Sequence, residues 1–110
     1  MNPGEIYSRI IQNFAMRPMD WVLEIPAKMA YRGSIGIFQD QLDFWAWAQR
    51  NLSGWSYAED WSNGYREVYF NTELRAILTY CEGDVDLTVD ETDQEFNLRW
   101  KSAEEFYKNY

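Results

Sequence analysis

The 110-residue chain contains no histidine. The commonest general base near neutral pH and the commonest metal ligand are therefore both missing. Its single cysteine, Cys81, can form no disulfide within the chain, and a thiol without an imidazole partner lacks its usual activating base, so Cys81 is read as a strand residue and not as a nucleophile. There is no glycine-rich phosphate loop. No apolar run approaches the roughly 20 residues of a membrane-spanning helix, and no charged-then-apolar leader opens the chain. The expectation is a cytoplasmic protein that makes no use of membrane. Basic residues are scarce as well: ten Lys and Arg stand against eighteen Asp and Glu, a net charge of −8. That balance argues against a direct grip on nucleic acid and favours basic, neutral or small partners.

What is present points to a folded domain. Hydrophobic residues make up 46% and aromatics 18%, enough to build a core without metal or disulfide support. With no linker, repeat or low-complexity tract, residues 1–110 read as one domain.

Residues 74–110 organise the rest. In Asp84-Val85-Asp86-Leu87-Thr88-Val89-Asp90 the apolar residues fall on alternate positions, which places Val85, Leu87 and Val89 on one strand face and the acids on the other. Ala76, Leu78 and Tyr80 repeat the period upstream, and Glu82-Gly83 suits a two-residue hairpin turn. That turn predicts Cys81 opposite Asp84, Tyr80 opposite Val85, Leu78 opposite Leu87 and Ala76 opposite Val89. Arg75 then lies beside Asp90. Thr92 and Glu95 form a capping box, with Asp93 in the first turn. Phe96, Trp100, Ala103 and Tyr107 make a helical stripe, widened by Phe106 and Tyr110. This stripe is expected to pack on Val85, Leu87 and Val89, since adjacent amphipathic elements usually cover each other.

The first half reads as mainly helical. Asn2, Pro3 and Glu5 open a helix whose apolar face is Ile6, Tyr7, Ile10, Ile11 and Phe14, ending at Arg17-Pro18. Trp21, Leu23 and Ile25 alternate like a short edge strand, followed by a turn of helix from Pro26 to Gly33. Residues 34–52 keep helical spacing through Ile35, Phe38, Leu42, Trp45 and Leu52, with Ile37, Phe44 and Trp47 as a second stripe. Such a helix should lie between layers, Asp40, Asp43 and Arg50 facing water. Arg66 to Phe70 is a strand, and a three-residue loop at Asn71-Thr72-Glu73 would set Phe70 against Leu74 and Val68 against Ala76. The predicted fold class is α+β with two layers: a helical N-terminal half, then a three-stranded antiparallel meander and a C-terminal amphipathic helix, β-β-β-α.

Two stretches carry functional expectations. Seven carboxylates, Glu82, Asp84, Asp86, Asp90, Glu91, Asp93 and Glu95, run from position 76 to 98 without a lysine or arginine. An acidic run is ordinarily a solvated face that aids solubility. Its functional reading is a row of charge that stands in for phosphates. Residues 54–65 hold the aromatics Trp55, Tyr57, Trp61 and Tyr65 among loop residues. Trp55 and Trp61 are expected to plug the core; the competing reading is a ligand platform with Glu59, Asp60 and Asn63 as polar handles.

Chemistry is a minor prospect. Asp84, Asp86 and Asp90 could attract a hard cation, but the calcium-loop pattern fails at Thr88 and Val89, and a flat strand does not wrap an ion. A glycosidase pair built on Glu59 needs a carboxyl separation that spacing does not supply. The chain is therefore read as a non-enzymatic, cofactor-free binding protein that occupies a basic, nucleic-acid-binding surface of a partner protein. Phage or mobile-element inhibitors of host defence nucleases have this profile of size and charge. The alternatives are a small-ligand binder using residues 54–65, and a toxin-immunity or assembly subunit joined through Trp45, Trp47 or the first helix.

Overall fold

A computed structural model describes Leu23, Ile25 and residues 30–108. The expected N-terminal helix and most of the segment at 19–29 lie outside the described residues. The elements are β1 (Tyr31–Ile37), α1 (Gln41–Asn51), β2 (Ser56–Tyr57), a 3-10 turn (Glu59–Trp61), β3 (Arg66–Asn71), β4 (Ala76–Cys81), β5 (Asp84–Val89) and α2 (Asp93–Lys108). Among the described residues the strands form one five-stranded antiparallel sheet in the order β1-β5-β4-β3-β2. The class is α+β.

The hairpin between β4 and β5 pairs as its turn chemistry dictates. Cys81 faces Asp84, Tyr80 faces Val85, Leu78 faces Leu87 and Ala76 faces Val89. Glu82 and Gly83 both take positive φ, +49° and +99°, the conformation that matches a two-residue loop to the twist of its strands. Gly83 is also needed for space: a Cβ there would stand 3.0 Å from the Phe38 carbonyl oxygen, while the Phe38 N–H donates to the Gly83 carbonyl at 2.9 Å. The hairpin tip is thereby tied to the end of β1.

Three expectations about the fold are corrected. The first concerns residues 34–37, which belong to β1 and not to a long helix. Gly33 and Gly36 weaken helix here, and Asp40 accepts the Asp43 N–H at 2.9 Å as an N-cap, so the helix begins only at Gln41. A register shift between Ser34 and Gly36 lets Ile35 drop into the core. Helix α1 is then an outer layer, burying Phe44, Trp47 and Ala48 while Leu42 and Trp45 remain exposed.

The second correction is the register of β3. Its loop is four residues long, because Arg75 adopts a left-handed φ of +54°, and the pairs are Phe70 with Ile77 and Val68 with Thr79. Relative to the expected pairing this is an odd shift, which turns every β3 side chain to the other face. Val68 leaves the Ala76 face, and Glu67 enters it.

The third follows from the second. Ile77, Val68, Phe96, Trp61 and Ala58 make a separate cluster with Phe70, Trp100, Ala103 and Tyr107 around it. The α2 stripe therefore packs on this face and not on Val85, Leu87 and Val89. Those three, with Ala76, Leu78 and Tyr80, are covered by Phe44, Trp47, Ala48 and Leu52 of the α1 region. Alternation along β4 places the two clusters on opposite faces, so the described residues form three layers, α1, sheet and α2, and the three-stranded meander is extended by β1 and β2. Among the described residues no helix is long and apolar enough to cross a membrane.

Candidate functional site

The seven carboxylates do not form one row. Asp84 and Asp86 point outward on β5, alternating with the buried Val85 and Leu87, and Glu82 is exposed at the turn. On the same face Asp84 neighbours Ile37 and Cys81, while Asp86 neighbours Ser34 and Thr79. Among the described residues no cation pairs with Glu82, Asp84 or Asp86. Burial raises the Asp86 carboxyl above its ordinary value, and the charge of Asp84 raises it further.

Asp90 does not belong to the solvated row, which corrects the reading of the run as one surface. It is only 2% exposed. Arg99 Nε donates to both of its carboxylate oxygens, at 3.0 and 3.1 Å, and Arg32 Nη2 lies 3.5 Å away. Burial pushes the Asp90 carboxyl upward, against the pull of Arg32 and Arg75. Arg75 does sit beside Asp90, but grips its backbone: the Asp90 N–H donates to the Arg75 carbonyl at 2.9 Å and Arg75 Nε donates to the Asp90 carbonyl at 3.1 Å. One terminal nitrogen, Nη1, lies 3.7 Å from Asp93; the other, Nη2, is buried without a hydrogen-bond partner.

The remaining acids of the run cluster at the start of α2. The Glu95 N–H donates to Thr92 Oγ1 at 3.1 Å, as a capping box requires. Glu95 Oε2 then accepts the Glu91 N–H at 3.1 Å, one residue earlier than the usual return bond. Glu95 thus has local partners, Asp93 lies 3.7 Å from Arg75 Nη1, and Glu91 is exposed. Asp84 and Asp90, the two ends of the strand face, are separated by about 20 Å of strand.

The aromatic residues of 54–65 are likewise dispersed. Trp61 is 4% exposed and packs against Trp100 and Tyr107, at centroid distances of 4.3 and 5.5 Å. Trp55 is half-buried against the α1-side core, on the other side of the sheet. Tyr57 meets Tyr69 at 5.2 Å, and Tyr65 is exposed. Glu59 and Asp60 are exposed on the 3-10 turn. Asn63 is committed to its own loop, its Oδ1 accepting the N–H groups of Tyr65 and Arg66. These residues share no platform.

Two features escaped the sequence reading. Glu67 is buried on the α1 side at 7% exposure, accepting from Gln41 Nε2 at 3.1 Å and from Trp45 Nε1. Nothing in its neighbours marks it, because its facing depends on the β3 register. Beside it the Tyr69 hydroxyl is pushed up to about 12, by burial first and then by the charge of Glu67. The second feature is a groove of about 250 Å³ between α2 and the strands β4 and β5, lined among others by Thr79, Asp86, Thr88, Arg99, Ser102 and Phe106. Alternation in β5 announces Asp86 and Thr88, but the wall is supplied by a helix whose docking face was not legible.

Among the described residues no three Asp, Glu, Cys or His side chains come together as a metal-binding group. Compared with protein-family models, curated proteins and solved structures, the chain matches none.

Proposed function

We propose that this protein is a non-catalytic binding protein that presents Glu82, Asp84 and Asp86 to a basic, nucleic-acid-binding surface of a partner protein. The observation that carries this reading is the pair Asp84 and Asp86, outward on one face of β5 with no cation paired to either among the described residues. Carboxylates on alternate strand positions stand about 6.6 Å apart, and two that repel each other gain from any cation that approaches. A partner groove lined with arginine and lysine would be steered to them and would give up nucleic acid in exchange. The surface is narrower than the full acidic run, since Asp90 is consumed by Arg99 and Arg32. An anti-defence inhibitor from a phage or mobile element is the setting that fits; that step rests on size and charge alone.

The test immobilises the wild-type protein and Asp84→Asn/Asp86→Asn, passes native-host lysate over both, and elutes with duplex DNA and then with salt. A basic protein should be held by the wild type, released by DNA, and lost between about 50 and 200 mM salt. Equal retention by the double variant, or indifference to salt, would refute the acidic-surface reading.

A further inference from the structure

The groove beside Asp86 exists because α2 covers only part of its sheet face. The stripe Phe96, Trp100, Ala103 and Tyr107 follows the apolar residues of β3 and β4, so the outward positions of β5 lie beside the helix and not beneath it. Beyond β5, β1 places only Arg32 and Ser34 opposite Thr88 and Asp86. The floor is left to Thr79, Asp86 and Thr88, and the wall to Arg99, Ser102 and Phe106.

We infer that this groove seats one basic side chain, a guanidinium or ammonium group projecting from the partner protein, with Asp86 as its counter-charge; the assignment rests on the acidic-surface reading. Size favours a side chain over a free ligand. At about 250 Å³ and open to solvent, the groove is smaller than the roughly 300–1,000 Å³ that enclose a small molecule. The sign of the ligand follows from the charges. Asp86 pairs with no cation among the described residues, and Asp84 adds a second negative charge on the same strand face. Arg99, on the groove wall, has Asp90 as its counter-ion, its Nε donating to both carboxylate oxygens. The hydroxyls of Thr79, Thr88 and Ser102 can accept the remaining N–H groups. Phe106, 53% exposed, offers a ring edge or face to the aliphatic stem and the cation.

Three variants separate the groove from the charge around it. Ser102→Trp fills the groove without altering charge, Phe106→Ala removes one wall at an exposed position, and Asp86→Asn removes the counter-charge; each is first checked for cooperative thermal unfolding. The probe is Nα-acetyl-arginine amide, titrated at low salt while backbone amide resonances are followed. The wild type should show saturable shifts at Thr79, Asp86, Thr88 and Ser102, weakened about tenfold by Asp86→Asn and by Ser102→Trp, and several-fold by Phe106→Ala. The partner captured by the wild type should be retained about tenfold less by Ser102→Trp. Non-saturating shifts spread over Glu82 and Asp84, unchanged by Ser102→Trp, would overturn the groove while leaving the acidic surface standing. A partner held equally by wild type, Ser102→Trp and Asp84→Asn/Asp86→Asn would overturn both. Should Ser102→Trp fail to fold, Phe106→Ala decides: probe binding equal to wild type refutes the seat.

Discussion

Asp90→Asn is the substitution that separates a structural acid from a surface acid within the same run. The carboxylate is 1% exposed, against 26% for the Arg99 side chain and 66% for that of Arg32. Breaking a fully buried ion pair costs about 3–5 kcal/mol, because the remaining charge is stranded. Here both arginines can reach water, which lowers that figure. Asparagine also keeps one oxygen that can accept from Arg99 Nε, so the loss is closer to the about 1.5–3 kcal/mol of a charged hydrogen bond. The burial that raises the Asp90 carboxyl takes back part of this, since a neutral amide is easier to bury than a carboxylate. Main-chain bonds between Asp90 and Arg75 do not involve the altered group and survive. The expected destabilisation is about 2 kcal/mol. With a urea slope of about 2 kcal/mol per M for a domain of this size, the midpoint should fall by about 1 M at unchanged slope. Asp84→Asn, at a solvent-facing position, should stay within about 0.5 kcal/mol of wild type. A double-mutant cycle with Arg99→Met should show that the two losses do not add. If Asp90→Asn and Asp84→Asn were equally stable, or if the cycle were additive, the Asp90 pair would be an ordinary surface contact.

Two further outcomes follow from the packing. Trp100→Ala should cost about 3 kcal/mol, because its ring meets Trp61 at 4.3 Å and Phe70 at 4.5 Å and its Nε1 donates to Glu104 at 2.8 Å; an unchanged melting temperature would mean that α2 is not held by this stripe. Tyr69 should ionise near 12. Its folded value lies above the unfolded one, so the stability it contributes is whole below pH 10 and is lost as pH rises through 12. Phenolate absorbance should show a late step that Tyr69→Phe removes, and a titration finished near pH 10 would contradict the burial of Tyr69 beside Glu67.

Residues 76–96 carry their local geometry in their own side chains. A two-residue turn leaves one register for its hairpin, so Glu82-Gly83 is enough to pair Tyr80 with Val85 and Leu78 with Leu87. A capping box involves four neighbouring residues, so Thr92 and Glu95 mark the start of α2 without help from the rest of the chain. The stripe of α2 was equally legible, but periodicity specifies only that a face is buried, never which surface covers it. That decision fell to Arg75. Its left-handed backbone lengthens one loop by a residue, swings Val68 to the Ile77 side, and so gives α2 an apolar bed on the face opposite Val85 and Leu87. The same face contains Asp84, Asp86 and Asp90, and its local acidity hid the fact that β3 and β4 make the other half apolar. Residues 31–37 needed β5 as a partner before their glycine-rich segment could become a strand, and pairing between residues as far apart as Tyr31 and Val89 leaves no trace in local spacing. Asp90 and Asp84 look alike in the sequence. Only the arrival of Arg99 from α2 and Arg32 from β1 makes the first a buried counter-ion and leaves the second in water.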